Sequence, residues 1–119
     1  MPVRSLRSSV LKWPSASEVE SALRVWVKEL TLPGLLALGY FGSYARGDYG
    51  VGSDLDLVVV VESSPHPFVE RAAYLPLERL PVPAEALVYT KEEWRRLLEK
   101  DTRFSRVLKA ETRWLVGPP

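Results

Sequence analysis

Apolar residues recur along this chain with two different periods, and the switches between them mark out its elements. After Ser15, the apolar positions Val19, Ala22, Leu23, Trp26, Val27 and Leu30 fall at steps of three and four, the stripe of a helix with one buried face. Ser15-Ala16-Ser17-Glu18 has capping-box spacing, so the helix is expected to open there, and Pro33-Gly34 to end it. Leu35 to Phe41 is an apolar run of strand length. Gly42-Ser43 turns the chain, Tyr44 to Arg46 is expected to start a short helix, and Tyr49-Gly50-Val51-Gly52 reads as a loop. Leu55 to Val61 alternates at first and then runs wholly apolar, the pattern of a central strand buried on both faces.

Ser63-Ser64-Pro65-His66-Pro67 reads as a solvated loop. Phe68 to Leu80 has a helix-like pattern that Pro76 should kink or end. Pro81-Val82-Pro83 is an extended connector, and Ala84 to Tyr89 a third strand. Thr90-Lys91-Glu92-Glu93 is a second capping box, leading a helix to about Lys100. A further helix is expected from about Thr102 to Lys109, with Phe104, Val107 and Leu108 turned inward, and Arg113 to Val116 suits a short edge strand. Residues 1–14 read as irregular or as one short element, with Val10, Leu11 and Trp13 apolar enough to dock on the body or on a partner. The order predicts an α/β (α+β) fold, a small mixed sheet with helices packed on it. At 119 residues the chain is expected to be one domain, 1–119.

Composition acts mainly by exclusion. An apolar fraction of 46% with 26% charged residues is ordinary for a globular domain. A net charge of +1 provides no global field for nucleic acid, which is not expected as a direct ligand, although basic residues gather from Arg95 to Arg113. With no cysteine, disulfides and thiolate metal sites are ruled out, and a cytoplasmic setting is the expectation. No run approaches a membrane span, and the N-terminal arginines precede no continuous apolar stretch, so neither a membrane nor a secretory leader is expected.

Candidate chemistry concentrates between Gly42 and Leu57. At a strand-to-helix junction a glycine lets backbone amides approach phosphate, the first-turn amides favour anions, and the Ser43 hydroxyl adds a donor. After ten intervening residues comes Asp54-Leu55-Asp56. On a strand, residues two apart share a face, so Asp54 and Asp56 would project together while Leu55 and Leu57 enter the core. Paired carboxylates repel and are costly to desolvate unless a cation sits between them. Hard oxygen donors without Cys or His favour Mg²⁺ or Mn²⁺ over Zn²⁺. Ser53 offers one more oxygen beside the pair. Each feature alone is common; their joint spacing is specific. Glu85 is the lone charge in the apolar run Ala84 to Tyr89.

Gly-Ser-x-Ala-Arg-Gly followed by Ser-Asp-Leu-Asp-Leu resembles the signature of the minimal nucleotidyltransferases, in the superfamily of DNA polymerase β and kanamycin nucleotidyltransferase. The likeness is dense from Phe41 to Val59 and looser to about Leu115. It implies a nucleotidyltransferase fold in which Gly42 and Ser43 bind the β- and γ-phosphates and Asp54 and Asp56 bind two metal ions. Arg46 would contact phosphate or pair with an acid such as Asp48 or Glu62. The superfamily's third carboxylate, usually Asp on a later strand, corresponds best to Glu85, which would complete the second metal site and draw the proton from the acceptor. The resemblance further implies transfer of AMP from ATP, or of a nucleoside monophosphate from another triphosphate, to a hydroxyl with two Mg²⁺. It also implies a HEPN-domain toxin as protein partner, with this chain as antitoxin. The alternative is a weak or inactive binding module that acts on its partner by contact.

Overall fold

A computed structural model describes residues 13–119 of the chain. The expectations for Val10 and Leu11 lie outside the described residues. Helix α1 spans Ala16–Glu29 and begins with the expected box: Ser15 accepts from the Glu18 amide, and the Glu18 side chain accepts from the Ser15 amide. It stops at Leu30, before the Pro33-Gly34 turn expected to end it. Its apolar stripe buries Val19, Leu23 and Trp26.

Strand β1 covers Leu35–Phe41, the one-turn helix α2 covers Ser43–Arg46, and strand β2 covers Leu55–Val61. The segment expected to be one interrupted helix divides into a short helix α3 (Phe68–Arg71) and two 3₁₀ turns, Ala72–Tyr74 and Leu77–Arg79, separated around Pro76. A proline lacks the amide a continuing helix needs. Strand β3 (Ala84–Thr90), helix α4 (Lys91–Lys100), helix α5 (Arg103–Glu111) and strand β4 (Arg113–Val116) complete the chain. Thr90 caps α4 through a second reciprocal box with Glu93. Thr102 caps α5 through the Ser105 amide.

The strands form one mixed sheet in the order β3-β2-β1-β4. β1 runs antiparallel to both β2 and β4, and β2 runs parallel to β3. Covered on both sides, β2 divides its side chains between two cores. Leu55, Leu57, Val59 and Val61 join Val19, Leu23 and Trp26 of α1. Val58 and Val60 join Trp94 of α4 and Leu108 of α5. Four of these β2 residues plus Leu55 are fully inaccessible, and each such burial is worth about 1.5–3 kcal/mol. This inner strand is therefore firmly held, and its second residue is Asp56. Phe104, expected inside, stays 40% exposed and meets Phe41 edge-on.

Candidate active site

The site lies where β1 ends and β2 begins, two ends that antiparallel pairing brings together. Phe41 is the register partner of Asp56. Gly42 therefore stands directly beside the Asp56 carboxylate, and a Cβ built on Gly42 would collide with Asp56 Oδ2. Gly42 also has φ +80°, a left-handed conformation that side chains disfavour. Both constraints favour glycine here. They hold the Gly-Ser turn against the acid.

On the other side of Asp56, the parallel pairing sets Glu85 of β3 level with it. By strand alternation both belong to the sheet face that carries Val58, Val60 and helices α4 and α5. Asp54 lies one residue before β2 rather than in it, and it is exposed. Glu85 is exposed on the edge strand, and Asp56 is half-buried. Burial first, then the charges of Glu85 and Asp54, raise the Asp56 carboxyl above its ordinary pKa; Arg46 opposes them weakly. Asp56 thus feels the charges of both neighbouring acids. Among the described residues, no three acidic, His or Cys side chains are already drawn together as an ion cage.

Ser43 opens α2, and its carbonyl accepts from the amides of Gly47 and Asp48. Ser53 is engaged within the loop, its hydroxyl accepting from the Gly50 amide at 2.8 Å. Arg46 pairs with Asp48 at 3.1 Å, as the sequence allowed, but its second partner is Glu111 at 3.3 Å rather than Glu62. The Glu111 carboxylate also accepts from the Gly42 amide at 3.3 Å. Nothing near Gly42 in the sequence signals Glu111. The only hint is an acid in the last turn of α5, where the helix dipole disfavours negative charge.

Tyr49 of the Gly-rich loop stacks on Tyr44 at 4.6 Å and accepts from the Ala16 amide at 3.0 Å. Trp13 Nε1 donates to Tyr44 Oη. These contacts fasten α2 and its loop to the start of α1. Trp26 and Trp94 are core residues, and Trp114 packs edge-on against Trp94. His66, expected to be a solvated loop residue, is half-buried and stacks on Tyr74 at 4.0 Å. It lines a cavity of about 710 Å³ with Leu32, Val61, Arg71, Leu75 and Val88. That cavity includes Val61, the last residue of β2, whereas Asp56 sits near the start of the strand, so this space is remote from the candidate chemistry.

With this geometry in place, residues 23–114 match the nucleotidyltransferase domain family. The chain belongs to that family. The nucleotidyltransferase domain is also similar to solved structures. One is a candidate nucleotidyltransferase from Sulfolobus solfataricus, 26% identical, with a TM-score of 0.55 and 87% of each chain covered. Another is a toxin-antitoxin structure with AMP-PNP, 20% identical, with a TM-score of 0.57, covering 83% of this chain and 73% of the other. The latter likeness concerns the fold. No curated protein gives a significant match. The mixed four-stranded sheet with its helices agrees with the nucleotidyltransferase fold, and the family implies a nucleotide substrate. No helix among the described residues is long and apolar enough to cross a membrane.

The residues present suit a divalent cation. Asp54, Asp56 and Glu85 supply hard oxygen donors, and burial first, then the charges of Glu85 and Asp54, disfavours the ionised form of Asp56. A cation there would relieve the repulsion.

Proposed function

We propose that residues 1–119 act as a single nucleotidyltransferase domain that moves AMP from ATP, or the corresponding unit of another nucleoside triphosphate, onto a hydroxyl. The observation that carries this reading is the packing of Gly42 against Asp56, with Glu85 level on the neighbouring strand. It joins a phosphate-holding turn to an acidic centre within one small volume.

Asp54, Asp56 and Glu85 would hold two Mg²⁺, or Mn²⁺. Bound there, such ions supply charge stabilisation for the attacking and leaving oxygens of an in-line displacement. Gly42, Ser43 and Arg46 orient the triphosphate so that its α-phosphorus faces the acids. Ser53 assists indirectly by fixing the loop before Asp54. Glu85 accepts the proton of the acceptor hydroxyl. The acceptor oxygen then bonds to the α-phosphorus, the bond from that phosphorus to the α–β bridging oxygen breaks, and pyrophosphate leaves.

The acceptor is proposed to be a protein, a HEPN-domain toxin that this chain restrains as antitoxin in a cytoplasmic setting. Support comes from the motif and from the shared fold of the toxin-antitoxin structure with AMP-PNP. A second reading, restraint of the partner by contact alone, is favoured by one observation: the acids are not preassembled. Incubation with ATP labelled at the α-phosphate, Mg²⁺ and the proposed HEPN-domain partner separates the two. Label on the partner, lost in the Asp54→Asn/Asp56→Asn double variant, supports transfer. A tight but unlabelled complex supports contact alone.

A further inference from the structure

We infer that Glu111 is a built-in competitor for the phosphate grip, a carboxylate that occupies the anion-holding groups and must leave before a triphosphate can enter. The inference rests on the reading of Gly42 and Arg46 as phosphate-holding groups. Glu111 is the last residue of α5. Its Oε1 accepts from both the Gly42 amide and Arg46 Nη1, each at 3.3 Å. One backbone amide and one guanidinium on a single oxygen is the arrangement a phosphate oxygen would receive there.

Three features make the carboxylate displaceable rather than structural. Both hydrogen bonds are long for charge-assisted ones. The side chain is 24% exposed, so it has a route to solvent. Its position at the C-terminal end of α5 places negative charge where the dipole opposes it, so the helix does not hold it in place. Leu108 and Ser105, both buried, anchor α5 independently of Glu111. The side chain can therefore swing out while the helix stays docked.

An incoming triphosphate must break both contacts and face the displaced charge. Glu111 consequently sets the affinity of the site and favours ligands with enough negative charge to displace it: triphosphates over diphosphates, and diphosphates over monophosphates. The test is calorimetric titration of the full chain with Mg·ATP and, separately, with inorganic tripolyphosphate. Glu111→Gln is expected to bind both about three- to tenfold more tightly than the unaltered chain, the scale of one partly exposed charge pair. Glu111→Ala should show the same gain and serves if the glutamine variant does not fold. Glu99→Gln, the same charge change on the exposed face of α4, should shift affinity less than about twofold. Equal or weaker binding by both Glu111 variants, beside measurable binding by the unaltered chain, overturns the inference and leaves the site reading standing. Absence of binding in all variants, Glu111→Gln and Glu111→Ala included, overturns both.

Discussion

Gly42 and Asp56 are packed so closely that a Cβ at position 42 would displace the Asp56 carboxylate. The contact follows from register: Phe41 faces Asp56 across the β1–β2 pair, and the next residue must turn over the carboxylate with φ +80°. The Gly-Ser turn and the central acid are therefore one mechanical unit. Gly42→Ala should cost about 1–3 kcal/mol through backbone strain and displacement of Asp56. Its transfer activity should fall by far more than its stability. Denaturant unfolding and label transfer, measured on the same preparation, check the two parts separately.

Asp56 carries a stability penalty that its proposed role explains. Burial and the charges of Glu85 and Asp54 disfavour its ionised form. Removing the charge relieves that repulsion, so Asp56→Asn should unfold a few degrees higher than the unaltered chain while losing transfer entirely. Added Mg²⁺ should raise the melting temperature of the unaltered chain and leave that of the variant nearly unchanged, by mass action on the folded state. Thermal scans with Mg²⁺ and after its chelation supply the comparison.

Acid stability should depend on Glu93, remote from the acids of the site. The Arg71 guanidinium, 8% exposed, pairs with Glu93 and also donates to the His66 and Val88 carbonyl oxygens. Arg71, helped by the Thr90 amide, lowers the Glu93 carboxyl to about 2 from an ordinary 4.5. The folded value lies below the unfolded one, so the unfolded chain binds the extra proton as pH falls. The stabilisation is complete above about pH 4.5 and disappears as pH drops towards 2. Glu93 is 35% exposed, so solvent screening reduces its contribution to about 1–2 kcal/mol. Glu93→Gln should flatten that part of the stability–pH curve, as read by denaturant midpoints at stepped pH.

Thr90 both ends β3 and caps α4. Thr90→Ala should destabilise the fold by about 1 kcal/mol. The site lies at the opposite end of β3, where Glu85 is, so nucleotide affinity should be unchanged. A lower denaturant midpoint with an unaltered ATP titration is the expected pair of results.

Local sequence pattern was sufficient for the elements that local physics controls. Strands Leu35–Phe41 and Leu55–Val61 match their apolar runs residue for residue, and both capping boxes form. The Gly-Ser turn and the acids were legible as one candidate site from their spacing, whereas the contact of Gly42 with Asp56 comes from the β1–β2 register. Other features depend on contacts that no local pattern encodes. Asp54 falls outside β2 because pairing with β3 starts at Leu55–Ala84. Phe104 remains half outside because its partner is Phe41 at the sheet's end, beyond the centre of the core. His66 finds a stacking partner in Tyr74 only because the expected helix breaks into turns. Glu111 reaches Gly42 across 69 residues of chain.

The most direct test of the central claim, that three acids and the Gly-Ser turn form one metal-dependent nucleotide site, is calorimetric titration with an ATP analogue whose α–β bridge resists cleavage, with and without Mg²⁺. Mg²⁺-dependent uptake of one nucleotide, abolished in Asp54→Asn/Asp56→Asn and weakened in Glu85→Gln, is the predicted result. Uptake that ignores Mg²⁺, or survives unchanged in the double variant, contradicts it.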